Sequence, residues 1–118
     1  MSQNFYYHYS TRENIQKIAQ SGEIRPSTDT TRDAMLGPGV YLTSKPPQCS
    51  DRTLAKNNYG EKASEREPRV ESYIRIPKDQ LPDVCCQRSG RDVCIKPGDA
   101  IDLSKVDYGV GDRKRYGR

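Results

Sequence analysis

The chain has 118 residues, 32% hydrophobic and 31% charged, with a net charge of +4 at neutral pH. That length holds one domain with one modest core and is too short for two, and the composition requires long polar loops around a packed centre. No apolar run approaches a membrane span, and Met1-Ser2-Gln3-Asn4 lacks the basic-then-apolar pattern of a secretory leader. The expectation is a soluble, unprocessed protein with no membrane partner, intracellular (cytoplasmic) or delivered by a route without a signal peptide.

The first unit is well marked. Phe5 to Tyr9 form an aromatic run suited to a buried strand, and Ser10-Thr11-Arg12-Glu13 reads as a capping box that starts a helix. Ile15, Ile18 and Ala19 give that helix one apolar face, and Gly22 sits where a C-terminal cap belongs. Proline keeps Arg25 extended, and a Ser/Thr/Asp-rich loop runs on to Asp33, positioned to lie over a ligand. Gly37-Pro38-Gly39 then turns the chain into a short strand through Val40, Tyr41 and Leu42.

Pro46-Pro47 ends this strand, and Ser50 or Asp51 can cap a short helix with Leu54 and Ala55 that stops near Gly60. After the polar connection from Glu61 to Pro68, Val70, Ile74 and Ile76 alternate with Glu71, Tyr73 and Arg75, the period of a half-buried strand stopped by Pro77. A hairpin follows, with Val84 to Gln87 and Asp92 to Lys96 flanking Arg88-Ser89-Gly90-Arg91, before Pro97-Gly98-Asp99 turns toward Ile101 and Leu103. The reading assigns residues 1–104 to a single α+β domain and 105–118 to a basic C-terminal tail. Gly111 to Arg118 carry four basic side chains against one acid, and Tyr108 and Tyr116 lie nearby. Such a tail either touches nucleic-acid phosphates or an acidic partner, or is a solvated, frayed terminus.

Cys49, Cys85, Cys86 and Cys94 show no C-x-x-C spacing, and one histidine does not complete a usual zinc site among them. Without a leader, reduced thiols are the expectation. Cys85 and Cys86 point to opposite faces if they lie on a strand, so at most one can face Cys94 across the hairpin.

Singly, the candidates for chemistry are ordinary. A histidine in an aromatic strand, a tyrosine in a short strand and an aspartate near a turn each have structural uses. Glycine-rich phosphate loops, nucleophile elbows and a second histidine for a hydrolytic triad are absent from the sequence. In combination, Tyr7-His8-Tyr9-Ser10, Gly22-Glu23-Ile24-Arg25-Pro26-Ser27, Arg32-Asp33-Ala34 with Gly37-Pro38-Gly39-Val40-Tyr41-Leu42-Thr43, and Gly90-Arg91-Asp92-Val93 resemble the ADP-ribosyltransferase superfamily. The likeness is to its His-Tyr-acid branch, shared by diphtheria toxin and the poly(ADP-ribose) polymerases, and most of all to the small HYD-signature toxin-type enzymes. It spans roughly residues 5 to 104.

The resemblance implies an ADP-ribosyltransferase-like split β-sheet with a few short helices, NAD as substrate, no metal, and a macromolecular acceptor that is protein or nucleic acid. It makes His8, Tyr41 and Asp92 the catalytic set. His8 would hold the adenosine- or nicotinamide-side ribose, with the backbone after it on the carboxamide. Tyr41 would stack on the nicotinamide, and Asp92 would replace the more usual glutamate, with Glu71 as the alternative acid. Tyr9, Ser10, Arg25, Arg32 and Tyr59 complete the expected NAD-binding set, the arginines as pyrophosphate ligands. His8 and Tyr41 are expected on adjacent strands, lining one cleft. NAD hydrolysis, or a catalytically silent ADP-ribose- or nucleic-acid-binding module, are the competing functions; a tRNA 2′-phosphotransferase-like activity lacks the arginines its chemistry would need.

Overall fold

The N-terminal aromatic run forms β1 (Phe5–Ser10), which pairs antiparallel with β4 (Ser72–Pro77), Phe5 opposite Pro77 and Ser10 opposite Ser72. The computed structural model describes residues 4–26, 39–49, 53, 57, 70–86, 94–98 and 100–112. On its other side β4 carries β8 (Gly109–Asp112). Alternation along these strands divides the sheet into two faces. Tyr6, His8, Ile74 and Ile76 share one, while Phe5, Tyr7, Tyr9, Tyr73 and Arg75 share the other.

The first face is covered by α1 (Arg12–Ser21), whose Ile15 joins Ile74 and Ile76 in the main core, all of them at most 1% exposed. Burying each such side chain contributes about 1.5–3 kcal/mol. The helix begins one residue later than the capping-box reading. Ser10 stays in β1 opposite Ser72, so extended Thr11 becomes the cap and its hydroxyl accepts from the Asn14 N–H at 3.1 Å. Gly22 closes the helix as expected, in the left-handed region, with its N–H on the Ile18 carbonyl at 3.0 Å. Glu71 supplies a carboxylate to the N-terminal end, accepting the Arg12 N–H at 2.7 Å.

Two further sheets complete the α+β architecture among the described residues. β2 (Glu23–Ile24) pairs with β7 (Ile101–Asp102), and β3 (Gly39–Leu42) pairs with β6 (Cys94–Pro97), which also holds β5 (Cys85–Cys86). Val40 and Leu42 enter the same core as Ile74 and Ile76. Thr53 and Asn57 are helical, within the stretch expected as a short helix. The ligand loop from Ser27, the tip Arg88-Ser89-Gly90-Arg91 and the basic residues from Arg113 onward lie outside the described residues.

Two findings differ from the sequence reading. Cys86 and Cys94 are directly opposite on β5 and β6 and form a disulfide that does not include Cys49 or Cys85. The expectation of reduced thiols therefore fails for this pair, because the hairpin register puts both sulfurs on one face of adjacent strands. The stretch assigned to a tail from residue 105 also enters the sheet as β8. Its glycines conceal the strand in the sequence but make it possible, because the Arg75 and Tyr73 side chains lie across β8. A Cβ on Gly109 would stand 2.8 Å from Arg75 Nε, and one on Gly111 would meet the Tyr73 hydroxyl.

Gly39, at the start of β3, has φ of 155°, and a Cβ there would lie 2.6 Å from the Lys96 carbonyl oxygen and 2.7 Å from Ile95. Gly22 has φ of 83° but open space around it. Gly39→Ala is expected to destabilise the fold by about 2–3 kcal/mol, from a close contact with backbone plus dihedral strain. Gly22→Ala is expected to cost about 1 kcal/mol, from the dihedral alone. Urea unfolding of the two variants checks both the magnitudes and their order.

Candidate active site

β1 and β3 meet at one rung. The Tyr7 N–H donates to the Thr43 carbonyl at 2.7 Å, and the Thr43 N–H to the Tyr7 carbonyl at 3.0 Å. In an antiparallel ladder the next exchange of bonds would join Tyr9 to Tyr41, but the rung is isolated and the strands part there. Instead the His8 ring reaches the Tyr41 carbonyl, with Nδ1 at 2.9 Å from the oxygen. A carbonyl only accepts, so the bond assigns the proton to Nδ1 and leaves Nε2 as an acceptor. Burial pushes the His8 pKa below its ordinary value of 6.5, and the bond to Tyr41 offsets this only in part. His8 is therefore a neutral imidazole with a fixed tautomer.

On the helix side of this junction lies a cleft of about 400 Å³, walled by His8, by Asn14, Lys17, Ile18 and Ser21 of α1, and by Glu23, Ile24 and Arg25. The four helix positions follow 3.6-residue spacing and form one stripe beside buried Ile15. The sequence reading did not single out Asn14, Lys17 or Ser21, and it quoted Glu23 only as part of the Gly22-to-Ser27 motif. The signal was available, since a helix packed on the histidine strand must turn one edge toward that histidine. Ile18 and Ile24 form an apolar surface, and the charges are paired outward, Lys17 with Glu13 at 3.2 Å and Arg25 with Glu23 at 3.5 Å.

The expected site residues separate into groups. His8 and Arg25 face the cleft. Ser10 stands behind it, its hydroxyl accepting from Asn14 Nδ2 at 2.9 Å. Tyr9 turns its ring to the other face, where its hydroxyl donates to the Lys45 carbonyl at 2.8 Å. Its peptide group points with that of Tyr7 toward β3 and the opening between the strands. Tyr41 meets His8 through its carbonyl. By register its ring shares the face of Tyr7 and Tyr9, and it is not among the residues walling the cleft. The adjacency of the two strands is as expected, whereas lining by both side chains is not seen in this cleft. Glu71 is engaged at the helix N-terminus. Arg32, Tyr59 and Asp92 lie outside the described residues. Among the described residues no cluster of His, Cys, Asp and Glu is grouped to hold a metal ion, and no helix is long and apolar enough to cross a membrane.

Comparison with protein families matches residues 6–104 to the HYD1 signature containing ADP-ribosyltransferases. A lone neutral histidine at the parting of two sheets thus has its context in a defined class of group-transfer proteins. The chain belongs to the HYD1-signature ADP-ribosyltransferase family. No curated protein and no solved structure matches it.

The single histidine makes its protonation directly observable. A base whose pKa is lowered by folding binds fewer protons folded than unfolded. Its contribution to stability is therefore complete above pH 6.5 and is lost as pH falls from 6.5 toward the folded value. The imidazole resonances in an NMR titration are expected to show a midpoint below 6.5; a midpoint at or above 6.5 would contradict a desolvated ring.

Proposed function

We propose that the protein binds NAD across the parting of β1 and β3, breaks the bond between nicotinamide and ribose, and passes ADP-ribose to a macromolecular acceptor, protein or nucleic acid. The observation that carries this reading is the His8–Tyr41 bond, which ends the ladder and fixes an acceptor nitrogen on the wall of a cleft. His8 Nε2 accepts a ribose hydroxyl, and the peptide group of Tyr9 serves the carboxamide. Tyr41 and Tyr59 flank the nicotinamide ring, and Arg25 and Arg32 take the pyrophosphate, for which guanidinium forks are well matched.

As the carbon–nitrogen bond breaks, its electron pair goes to the ring nitrogen, so the pyridinium leaves as a neutral base and needs no proton. Positive charge builds on the sugar, as in glycoside hydrolysis. A carboxylate bonded to the 2′-hydroxyl stabilises that charge more than it stabilises bound NAD, and Asp92 takes this role. Aspartate is one methylene shorter than glutamate. This favours NAD hydrolysis as the second reading, since a short acid can polarise the ribose without orienting an acceptor.

Labelled NAD, incubated with the protein alone and with cell lysate, is expected to yield nicotinamide and labelled macromolecules. Free ADP-ribose alone would mark a hydrolase, and binding without nicotinamide release a silent module. Asp92→Asn is expected to lower kcat for nicotinamide release by about 100-fold with little change in NAD affinity. Glu71→Gln is expected to keep its turnover and lose at most about 1 kcal/mol of stability, the scale of a carboxylate at a helix N-terminus. Arg25→Ala is expected to raise KM for NAD more than it lowers kcat, and an unchanged KM in both Arg25→Ala and Arg32→Ala would exclude the arginines as pyrophosphate ligands.

A further inference from the structure

β8 is the outermost strand of its sheet, with β4 on one side and no strand on the other among the described residues. Which of its main-chain groups face outward follows from the register. Tyr7 turns its N–H and carbonyl to Thr43, so His8 bonds Ile74 across β1 and β4, and Tyr73 and Arg75 bond Gly111 and Gly109 across β4 and β8. Val110 therefore points its N–H and carbonyl away from β4, and no hydrogen bond joins them to another described residue. Open edges are usually blocked by lysine, proline or a bulge. Residues 109–112 contain neither lysine nor proline, and both of their glycines lie outside the positive-φ region.

Each face of this edge offers something to a neighbouring strand. On the face shared with Ile74, Val110 is 52% exposed, and Tyr108, just before the strand, is 39% exposed. On the other face Gly109 and Gly111 have no side chains, so Arg75 and Tyr73 lie across the strand, the Arg75 guanidinium 4.9 Å from the centroid of the Phe5 ring. Neither that guanidinium nor the Tyr73 hydroxyl has an ion-pair or hydrogen-bond partner among the described residues. Two uncommitted donors over a bare strand suit a carboxylate arriving from the edge. The acids flanking the strand are engaged already, Asp112 with Ser72 and with Arg12 at 3.4 Å, and Asp107 with Gln80 at 2.9 Å. The chain's net charge of +4 favours a partner of the same acidic character.

We propose that the outer edge of β8 takes an extended acidic segment of a partner protein as a further antiparallel strand. Val110 exchanges main-chain hydrogen bonds with the segment. Apolar side chains on one face of the segment cover Val110, and carboxylates on the other reach over Gly109 and Gly111 to Arg75 and Tyr73. In strand addition of this kind the main-chain bonds hold the segment and its alternate side chains select it. β4 separates β8 from β1, and no residue of β8 walls the cleft at His8, so binding at the edge is independent of NAD cleavage.

The test titrates the full chain with a capped peptide of alternating glutamate and valine, about six residues long, and with the same peptide carrying lysine for glutamate. Amide hydrogen exchange followed by NMR is expected to slow at Val110 when the glutamate peptide is added, with Gly109 and Gly111, which already bond β4, unchanged. The lysine peptide is expected to bind at least about 10-fold more weakly, the scale of one hydrogen bond to a charged group. Arg75→Gln is expected to remove most of that difference. Val110→Pro deletes the outward N–H while leaving the bonds to β4, and is expected to abolish binding. Should that variant fail to fold, Arg75→Gln and the exchange at Val110 decide the matter. Equal binding of the two peptides, binding without slower exchange at Val110, or no binding would overturn the proposal. Slowing at Val110 that grows with protein concentration in the absence of peptide would place a second copy of the chain at the edge and overturn it as well.

Discussion

One imidazole stands where a ladder bond would be. Past the Tyr7–Thr43 rung, the Tyr41 carbonyl needs a donor, and a backbone donor from β1 would continue the sheet and close the opening. His8 supplies the donor from a side chain instead. A hydrogen bond to such a half-buried carbonyl contributes about 0.5–1.5 kcal/mol, and the ring supplies it at the point where the strands part. The same bond fixes the tautomer, and burial keeps the ring neutral. Opening and histidine thus belong to one arrangement.

Parting the strands would be of little use if both were free to drift. On the helix face, Val40 and Leu42 share one core with Ile74, Ile76 and Ile15, which fixes the distance between the sheets. On the other face, the Tyr9 hydroxyl reaches the Lys45 carbonyl, and buried Asn57 donates to the Thr43 hydroxyl at 3.1 Å, so the end of β3 is tied beside the rung. Rings of Tyr7, Tyr9 and Tyr73 pack together there at centroid separations of 5.7 to 5.9 Å. The dense aromatic run of β1 thus has a mechanical purpose: its odd positions anchor the junction while its even positions present His8 to the cleft.

The parts of this arrangement that were legible in the sequence are those set by local physics. An aromatic run, a helix with an apolar stripe and a glycine at its end specify β1, α1 and Gly22 without reference to distant chain. Gly37-Pro38-Gly39 marks the turn into β3, and the close approach of Gly39 to the Lys96 carbonyl is seen only in the structure. What escaped depended on partners remote in sequence. β8 reads as glycine-rich tail until Tyr73 and Arg75 are seen lying across it, and the disulfide needed the hairpin register. Glu71 looked like a spare acid because its partner, the Arg12 N–H, is 59 positions away. The resemblance placed Tyr41 on a strand beside β1, but the turn of its ring toward the Tyr9 face follows from the Tyr7–Thr43 register, which no local pattern announces.

The cleft also divides its residues by what they cost the fold. Lys17 and Arg25 are exposed, at 69% and 82% of their side chains, and pair with the accessible carboxylates of Glu13 and Glu23. Pairs of that kind contribute about 0–1 kcal/mol, so the charged wall can change partners with little effect on stability. His8 is the opposite case, a desolvated group bonded to the Tyr41 carbonyl at the junction itself. Substitutions at Arg25 therefore report on binding with the scaffold intact, whereas substitutions at His8 disturb scaffold and site together. Loss of activity at His8 alone does not identify a catalytic group; the separation between KM and kcat at the exposed positions does.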